Sequence, residues 1–182
     1  MKKLSRKVLF IGLIMVMFSS ETFAQFNDKF YVGGGGIWGR YANGSGATKY
    51  VDATYGLLLK AGYKWHKNVA LEGRMLGTLF AEDPLGGQTF RHFGLFAKPS
   101  MPLYHAINMY ALMGLAITKT VTGGNHSLEK VNESGFSTGA GIEYDISQYL
   151  FNSSLFLEYQ RLLIASDIPN MDSVGVGVSF HF

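Results

Sequence analysis

From Val174 to Phe182 the chain alternates without a break: Val174, Val176, Val178, Phe180 and Phe182 fall on one side of an extended backbone, Gly175, Gly177, Ser179 and His181 on the other. Successive side chains of a strand point to opposite faces, so this pattern specifies a strand with one apolar and one polar face. The same period sets Tyr55, Leu57, Leu59, Ala61, Tyr63 and Trp65 against Thr54, Gly56, Lys60, Gly62 and Lys64. It also sets Phe136, Thr138, Ala140, Ile142, Tyr144 and Ile146 against Ser137, Gly139, Gly141, Glu143 and Asp145. Each segment has about ten residues, the length a tilted strand needs to cross a bilayer. Beyond residue 24 no uninterrupted apolar run approaches the roughly 20 residues of a spanning helix. If this chain spans a membrane, it spans it as strands.

Eight such segments can be read, at 29–40, 52–65, 69–80, 88–98, 107–119, 135–146, 153–164 and 172–182. Their connections alternate in character. His66 to Asn68, Lys98 to Ala106 and Ser147 to Asn152 read as short turns; Tyr41 to Val51, Ala81 to Gly87, Lys119 to Ser134 and Ala165 to Met171 are richer in Gly, Asn, Asp and Ser. An even strand number with short turns at one end and longer polar loops at the other predicts an all-β fold, an eight-stranded antiparallel transmembrane β-barrel. Met109 to Ile117 is apolar on both faces, which leaves the register of 88–119 open.

The N-terminus fixes the expected destination. Lys2, Lys3, Arg6 and Lys7 precede the apolar stretch Val8 to Phe18 and then Ser19 to Ala24. This is the form of a secretory signal peptide cut after Ala24, giving a signal over 1–24 and a barrel over 25–182. The chain has no cysteine, which excludes disulfides and lipidation behind the signal. Of the 16 Lys and Arg and 13 Asp and Glu, four and one leave with the signal, so the mature part has 12 of each. Nucleic acid is not an expected partner of a neutral chain without a basic cluster.

A soluble lipocalin-like barrel has the same strand number but hides an apolar interior. Here one strand face carries the large aliphatics and aromatics, while the other is rich in Gly, Ser and charged groups, a poor ligand-binding core. Tyr31, Trp38, Tyr63, Trp65, Tyr104, Tyr149 and Phe182 near the segment ends suit the aromatic girdles of a membrane barrel.

Through the signal peptide, the eight-segment pattern and the ending Gly177-Val178-Ser179-Phe180-His181-Phe182, the chain resembles the small OmpA-like and OmpX-like outer membrane β-barrel proteins. The resemblance implies residence in the bacterial outer membrane and contact with its lipid. It also implies that Gly177, Phe180 and Phe182 form a signal read by the barrel-assembly machinery, and that the protein is a monomer. A periplasmic peptidoglycan-binding domain, present in full OmpA, is missing from these 182 residues.

Other patterns carry less. Gly34-Gly35-Gly36-Ile37-Trp38-Gly39 matches G-x-G-x-x-G, but a dinucleotide site needs a following helix, and these glycines better suit close packing against aromatics in a narrow barrel. His126, Ser127 and Glu129 have residue types of a lipid-hydrolase site, yet adjacent residues of an extended chain point apart, so His126 is badly placed to serve Ser127. The sequons at Asn43 and Asn125 are ordinary features of polar loops. His66, His92, His105, His126 and His181 show no metal-ligand spacing, and no metal, cofactor or catalytic residue is expected.

The function expected is a structural or surface-interaction barrel rather than an enzyme, with a narrow porin-like channel and a lipid A-modifying enzyme as alternatives. The sharpest expectation concerns the interior. Alternation sends Lys60, Glu72, Arg74, Glu143 and Glu158 inward, on hairpins that face each other across an eight-membered ring. A buried unpaired charge costs several kcal/mol, so bases and acids should converge and obstruct the lumen.

Overall fold

The computed structural model describes residues 29–43, 50–81, 88–122, 132–164 and 170–182. They form eight strands: β1 (Phe30–Asn43), β2 (Tyr50–His66), β3 (Val69–Ala81), β4 (Gln88–Tyr104), β5 (Ile107–Thr122), β6 (Asn132–Asp145), β7 (Ser153–Arg161) and β8 (Asn170–His181). Every strand pairs antiparallel with its neighbours in sequence, and β8 returns to β1, placing Gly177 opposite Gly35 and closing the barrel. Closure leaves no unpaired sheet edge, which is what lets β-structure stand in hydrocarbon.

The two strand faces sort as their sequences alternate. On β2, Tyr55, Leu57, Leu59, Tyr63 and Trp65 face outward, Trp65 being 82% exposed, while Thr54, Leu58 and Lys60 are buried inside. In β4 and β5 the inward set is Phe90, His92, Phe96 and Lys98 with Tyr110, Leu112, Ala116 and Thr118, and the outward set is Phe93, Leu95, Met109, Met113, Leu115 and Ile117. That resolves the register of the segment whose two faces are both apolar. The outer apolar belt is edged by Trp38, Tyr55 and Tyr159 toward the loops and by Tyr63, Trp65, Tyr104 and Tyr149 toward the short turns.

Three expectations need correction. Tyr31 is not a girdle residue: it is 2% exposed and points into the interior. The expected turn from Lys98 to Ala106 is largely strand, because β4 continues through Pro99 and Pro102 to a tight turn at His105-Ala106. The prolines are tolerated there because β3 runs out: Val69 pairs with Pro99, Ser100 N–H donates to Asn68 O at 2.8 Å, and Pro102 has only β5 beside it. Finally, β7 stops at Arg161 rather than Ile164. Leu162 and Leu163, past the last ladder pair at Arg161, are both buried, and the chain bends there to deliver both to the interior.

The inward glycines hold space for rings. A Cβ on Gly62 would strike the Tyr31 ring, one on Gly141 would come within 2.6 Å of Tyr110, one on Gly94 within 2.5 Å of Phe96, one on Gly39 within 2.5 Å of Phe90, and one on Gly177 within 2.7 Å of Phe156. Five large aromatics thus fit close against the wall of a barrel otherwise just wide enough for its own side chains. Within the G-x-G-x-x-G match, Gly34 to Gly39 lie in β1 with antiparallel strands on both sides, the packing role and not the nucleotide one.

Candidate functional site

The interior is layered along the barrel axis. Toward the loop end, Ile37, Leu58, Leu76, Phe90, Leu162, Leu163 and Met171 pack into an apolar plug that reaches down to Phe156. Below it the charged side chains meet. Lys60 on β2 lies directly opposite Arg74 on β3, two cations side by side. Unrelieved, this pairing would be repulsive, and acids from the far wall enter to meet it.

Arg74 donates to Glu158 on β7 through two hydrogen bonds, Nη1 to Oε1 at 2.6 Å and Nη2 to Oε2 at 2.8 Å, and Nη1 also reaches Gln160 Oε1 at 3.2 Å. Its Nε pairs with Glu72, two residues earlier on the same strand. Lys60 Nζ lies 3.6 Å from Glu143 and 3.9 Å from Glu158, makes no hydrogen bond with a described group, and sits 3.5 Å from the Phe156 ring centroid. Its charge is held by two carboxylates and a ring face, a cation–π contact strengthened by desolvation. The structure therefore brings Lys60, Glu72, Arg74, Glu143 and Glu158 together in the interior.

The network also has members that sequence reasoning missed. Lys98 donates to Glu143 at 2.6 Å and lies 3.7 Å from Glu72. Lys60, Arg74 and Lys98 thus face Glu72, Glu143 and Glu158, three charges of each sign. Tyr31 hydroxyl donates to Glu72 and Tyr110 hydroxyl to Glu158 at 2.7 Å, so both phenols cap acids. Toward the loops, Gln160 amide bridges Ser137 at 3.1 Å and His92 at 3.2 Å, and His92 Nδ1 pairs with Thr118 at 2.7 Å. The signal for Lys98 was present in the alternation Phe90, His92, Gly94, Phe96, Lys98, and was obscured by Pro99.

Chemically this is a mutually neutralised ionic core. In a low-dielectric interior each ion repays its lost hydration only when its partners and hydrogen bonds are complete. Among the described residues no group of three His, Cys, Asp or Glu could hold a metal ion. His126, Ser127 and Glu129 lie outside the described residues. At the short-turn mouth a cavity of about 50 Å³ is lined by Lys64, His66, Lys98, Glu143 and His181 among others.

The residues of the expected assembly signal fall on the closing strand. Gly177 packs against Gly35, where a Cβ would come within 2.6 Å of the Gly35 Cα. Phe180 stands opposite Val32 and Ser153. Phe182 N–H donates to Phe30 O at 2.8 Å and its carbonyl accepts from Phe30 N–H at 3.3 Å.

Residues 10–182 match the family described as outer membrane protein beta-barrel domain. The fold is similar to that of Ail, the attachment invasion locus protein of Yersinia pestis, with TM-score 0.61 and 18% identity over 85% of this chain and 99% of that one. It is also similar to Neisserial surface protein A, with TM-score 0.62 and 13% identity over 84% of this chain and 97% of that one. The N-terminal barrel domain of Pseudomonas aeruginosa OprF matches with TM-score 0.51 and 18% identity over 82% of this chain and 97% of that one. No curated protein sequence matches. With its eight strands closed into one barrel and the family match running from residue 10 to the last residue, the chain belongs to the outer membrane protein beta-barrel domain family and is an outer membrane β-barrel protein.

Proposed function

We propose that the protein is a sealed barrel with a structural or surface-interaction role, holding its four longer loops at the cell surface, and that it neither conducts ions nor catalyses a reaction. The observation that carries this reading is the balanced ionic core lying beneath the apolar plug of Ile37, Leu58, Leu76, Phe90, Leu162, Leu163 and Met171. Here the acids and bases bind each other instead of lining a solvated path, and on the loop side the apolar plug packs over them beside the hydrogen-bonded His92, Thr118, Ser137 and Gln160. The narrow-channel alternative requires both layers to part.

Export by a signal peptide cut after Ala24, insertion by the barrel-assembly machinery through Gly177, Phe180 and Phe182, and a monomeric state complete the proposal. Planar-bilayer recording with refolded protein tests its centre. Flat traces are expected, and reproducible conductance steps would replace the sealed barrel with a pore. Unchanged lipid A mass on expression is expected as well, and a shifted mass would point to lipid modification.

A further inference from the structure

Two cations on the outer wall stand where they repel. Arg91 on β4 and Lys119 on β5 are direct cross-strand partners, both exposed and both on the lipid-facing side. Like charges directly opposite destabilise a strand pair, so the arrangement implies something that offsets them. Among the described residues their outward neighbours supply no acid: Arg91 faces Gly77 on β3, and Lys119 faces Asn132 on β6. Glu133, next to Asn132, belongs to the other face of β6, at the level of Thr118.

The opposite side of the barrel shows how the same level is otherwise satisfied. There Asp172 lies between Arg40 and Arg161 in register and accepts from Tyr159 hydroxyl at 2.9 Å. The Arg91–Lys119 pair has no such acid among the described residues.

Depth supplies the second observation. Arg91 and Lys119 lie three residues from the loop ends of their strands, Gln88 and Thr122. Directly beneath them on the same face are Phe93 opposite Ile117 and Leu95 opposite Leu115, with Phe93 61% exposed and Leu115 71% exposed. The pair therefore sits at the upper edge of the apolar belt, on the side of the long loops, which faces the cell exterior in barrels of this class. Beside Arg91, a Cβ on Gly77 would meet nothing within 4 Å, so the wall there is open.

The geometry points to a binding site for the phosphate group of an acylated lipid in the outer leaflet. The planar guanidinium of Arg91 and the ammonium of Lys119 are donors suited to phosphate oxygens, and one dianionic group between them turns repulsion into attraction. The acyl chains of the same molecule run down over Phe93, Ile117, Leu95 and Leu115. The class of ligand follows from that conjunction of two cations with an apolar wall immediately below.

The test uses the refolded barrel in dodecyl maltoside micelles doped with diphosphorylated lipid A or its dephosphorylated form, with bound lipid read by native mass spectrometry. Wild-type protein should retain the phosphorylated form preferentially. Arg91→Gln and Lys119→Gln should each lower retention about fivefold, following the contribution of one cation near an anionic lipid surface. Lys67→Gln, at a short turn, should change nothing. Folding of each variant is checked by heat-modifiable gel mobility, and if the double variant fails to fold, the wild-type preference between the two lipids still decides. Equal retention of both lipids, or full retention by a folded double variant, overturns the site. Displacement by millimolar inorganic phosphate as effective as that by lipid overturns its assignment to a lipid.

Discussion

Arg74 on β3 and Glu158 on β7 grip each other across the barrel interior through two parallel hydrogen bonds of 2.6 and 2.8 Å, joining residues 84 positions apart in sequence. The planar fork of the guanidinium matches the two carboxylate oxygens, so the contact fixes orientation as well as distance. Because Tyr110 and Lys60 also approach Glu158, that one carboxylate ties β2, β3, β5 and β7 together. Its loss should be felt around most of the wall.

Glu158→Ala should therefore destabilise the barrel by about 3–5 kcal/mol, the cost of leaving a buried cation without its acid. Arg74→Met alone should be similarly costly. The double variant Arg74→Met/Glu158→Met removes one charge of each sign and should be more stable than either single one, because the remaining two cations and two acids stay balanced. Reversible urea unfolding in micelles measures all three. Simple additivity would show that the pair is not coupled.

Strand number, order and the inward set were legible in the sequence because lipid and lumen impose opposite demands on alternate residues. Lys60 and Arg74 could be placed level from the turn between them, and in the structure they are direct partners. Tyr31 was misread because an aromatic near a strand end suits a girdle, and only parity with Gly33 and Gly35 assigns it inward. The plug was missed for a different reason. Leu162, Leu163 and Met171 lie at or beyond the strand limits, where period-two reading fails, and Leu58 and Leu76 are apolar residues on strand faces that otherwise carry Thr, Lys, Glu and Arg. Composition by face hides height along the axis, and the inward apolar residues gather into two clusters, the plug and a second one of Phe96, Tyr110, Leu112 and Ala116.

Tyr31→Phe should cost about 1–3 kcal/mol, since the ring stays on Gly62 while buried Glu72 loses a donor. Tyr63→Phe, one strand away on the outer face, should change stability little. Unfolding midpoints compared under one condition distinguish the two, and equal effects would mean that the Tyr31 hydroxyl is not a significant partner.

Two adjacent glycines make a sharper contrast. A Cβ at Gly35 would collide with the Val176 carbonyl on β8, whereas one at Gly36 would meet nothing within 4 Å. Gly35→Ala must push apart the strands that close the barrel, while Gly36→Ala adds a methyl group to the outer surface. The first should fold poorly or lose about 1–3 kcal/mol by overpacking. The second should fold as wild type. Heat-modifiable mobility after refolding reads both, and equal yields would show that the seam between β1 and β8 is looser than its geometry.

Phe182 serves two separable ends. Its backbone exchanges two hydrogen bonds with Phe30, at 2.8 and 3.3 Å, completing the ladder between the last strand and the first. Its side chain joins Phe30, Val32, Tyr63 and Leu71 around an apolar groove of about 280 Å³. Deleting Phe182 removes both contributions, while Phe182→Ala keeps the backbone bonds and discards the ring. If the ring is read during assembly, Phe182→Ala should lower outer-membrane levels in cells nearly as far as the deletion does, yet refold in micelles with close to wild-type stability. The deletion should also lose stability in micelles, because two ladder bonds at about 0.5–1.5 kcal/mol each are gone. Fractionation of cells and urea unfolding of refolded protein give the two readouts. Normal outer-membrane levels for Phe182→Ala would remove the side chain from the assembly signal and leave its strand-closing role.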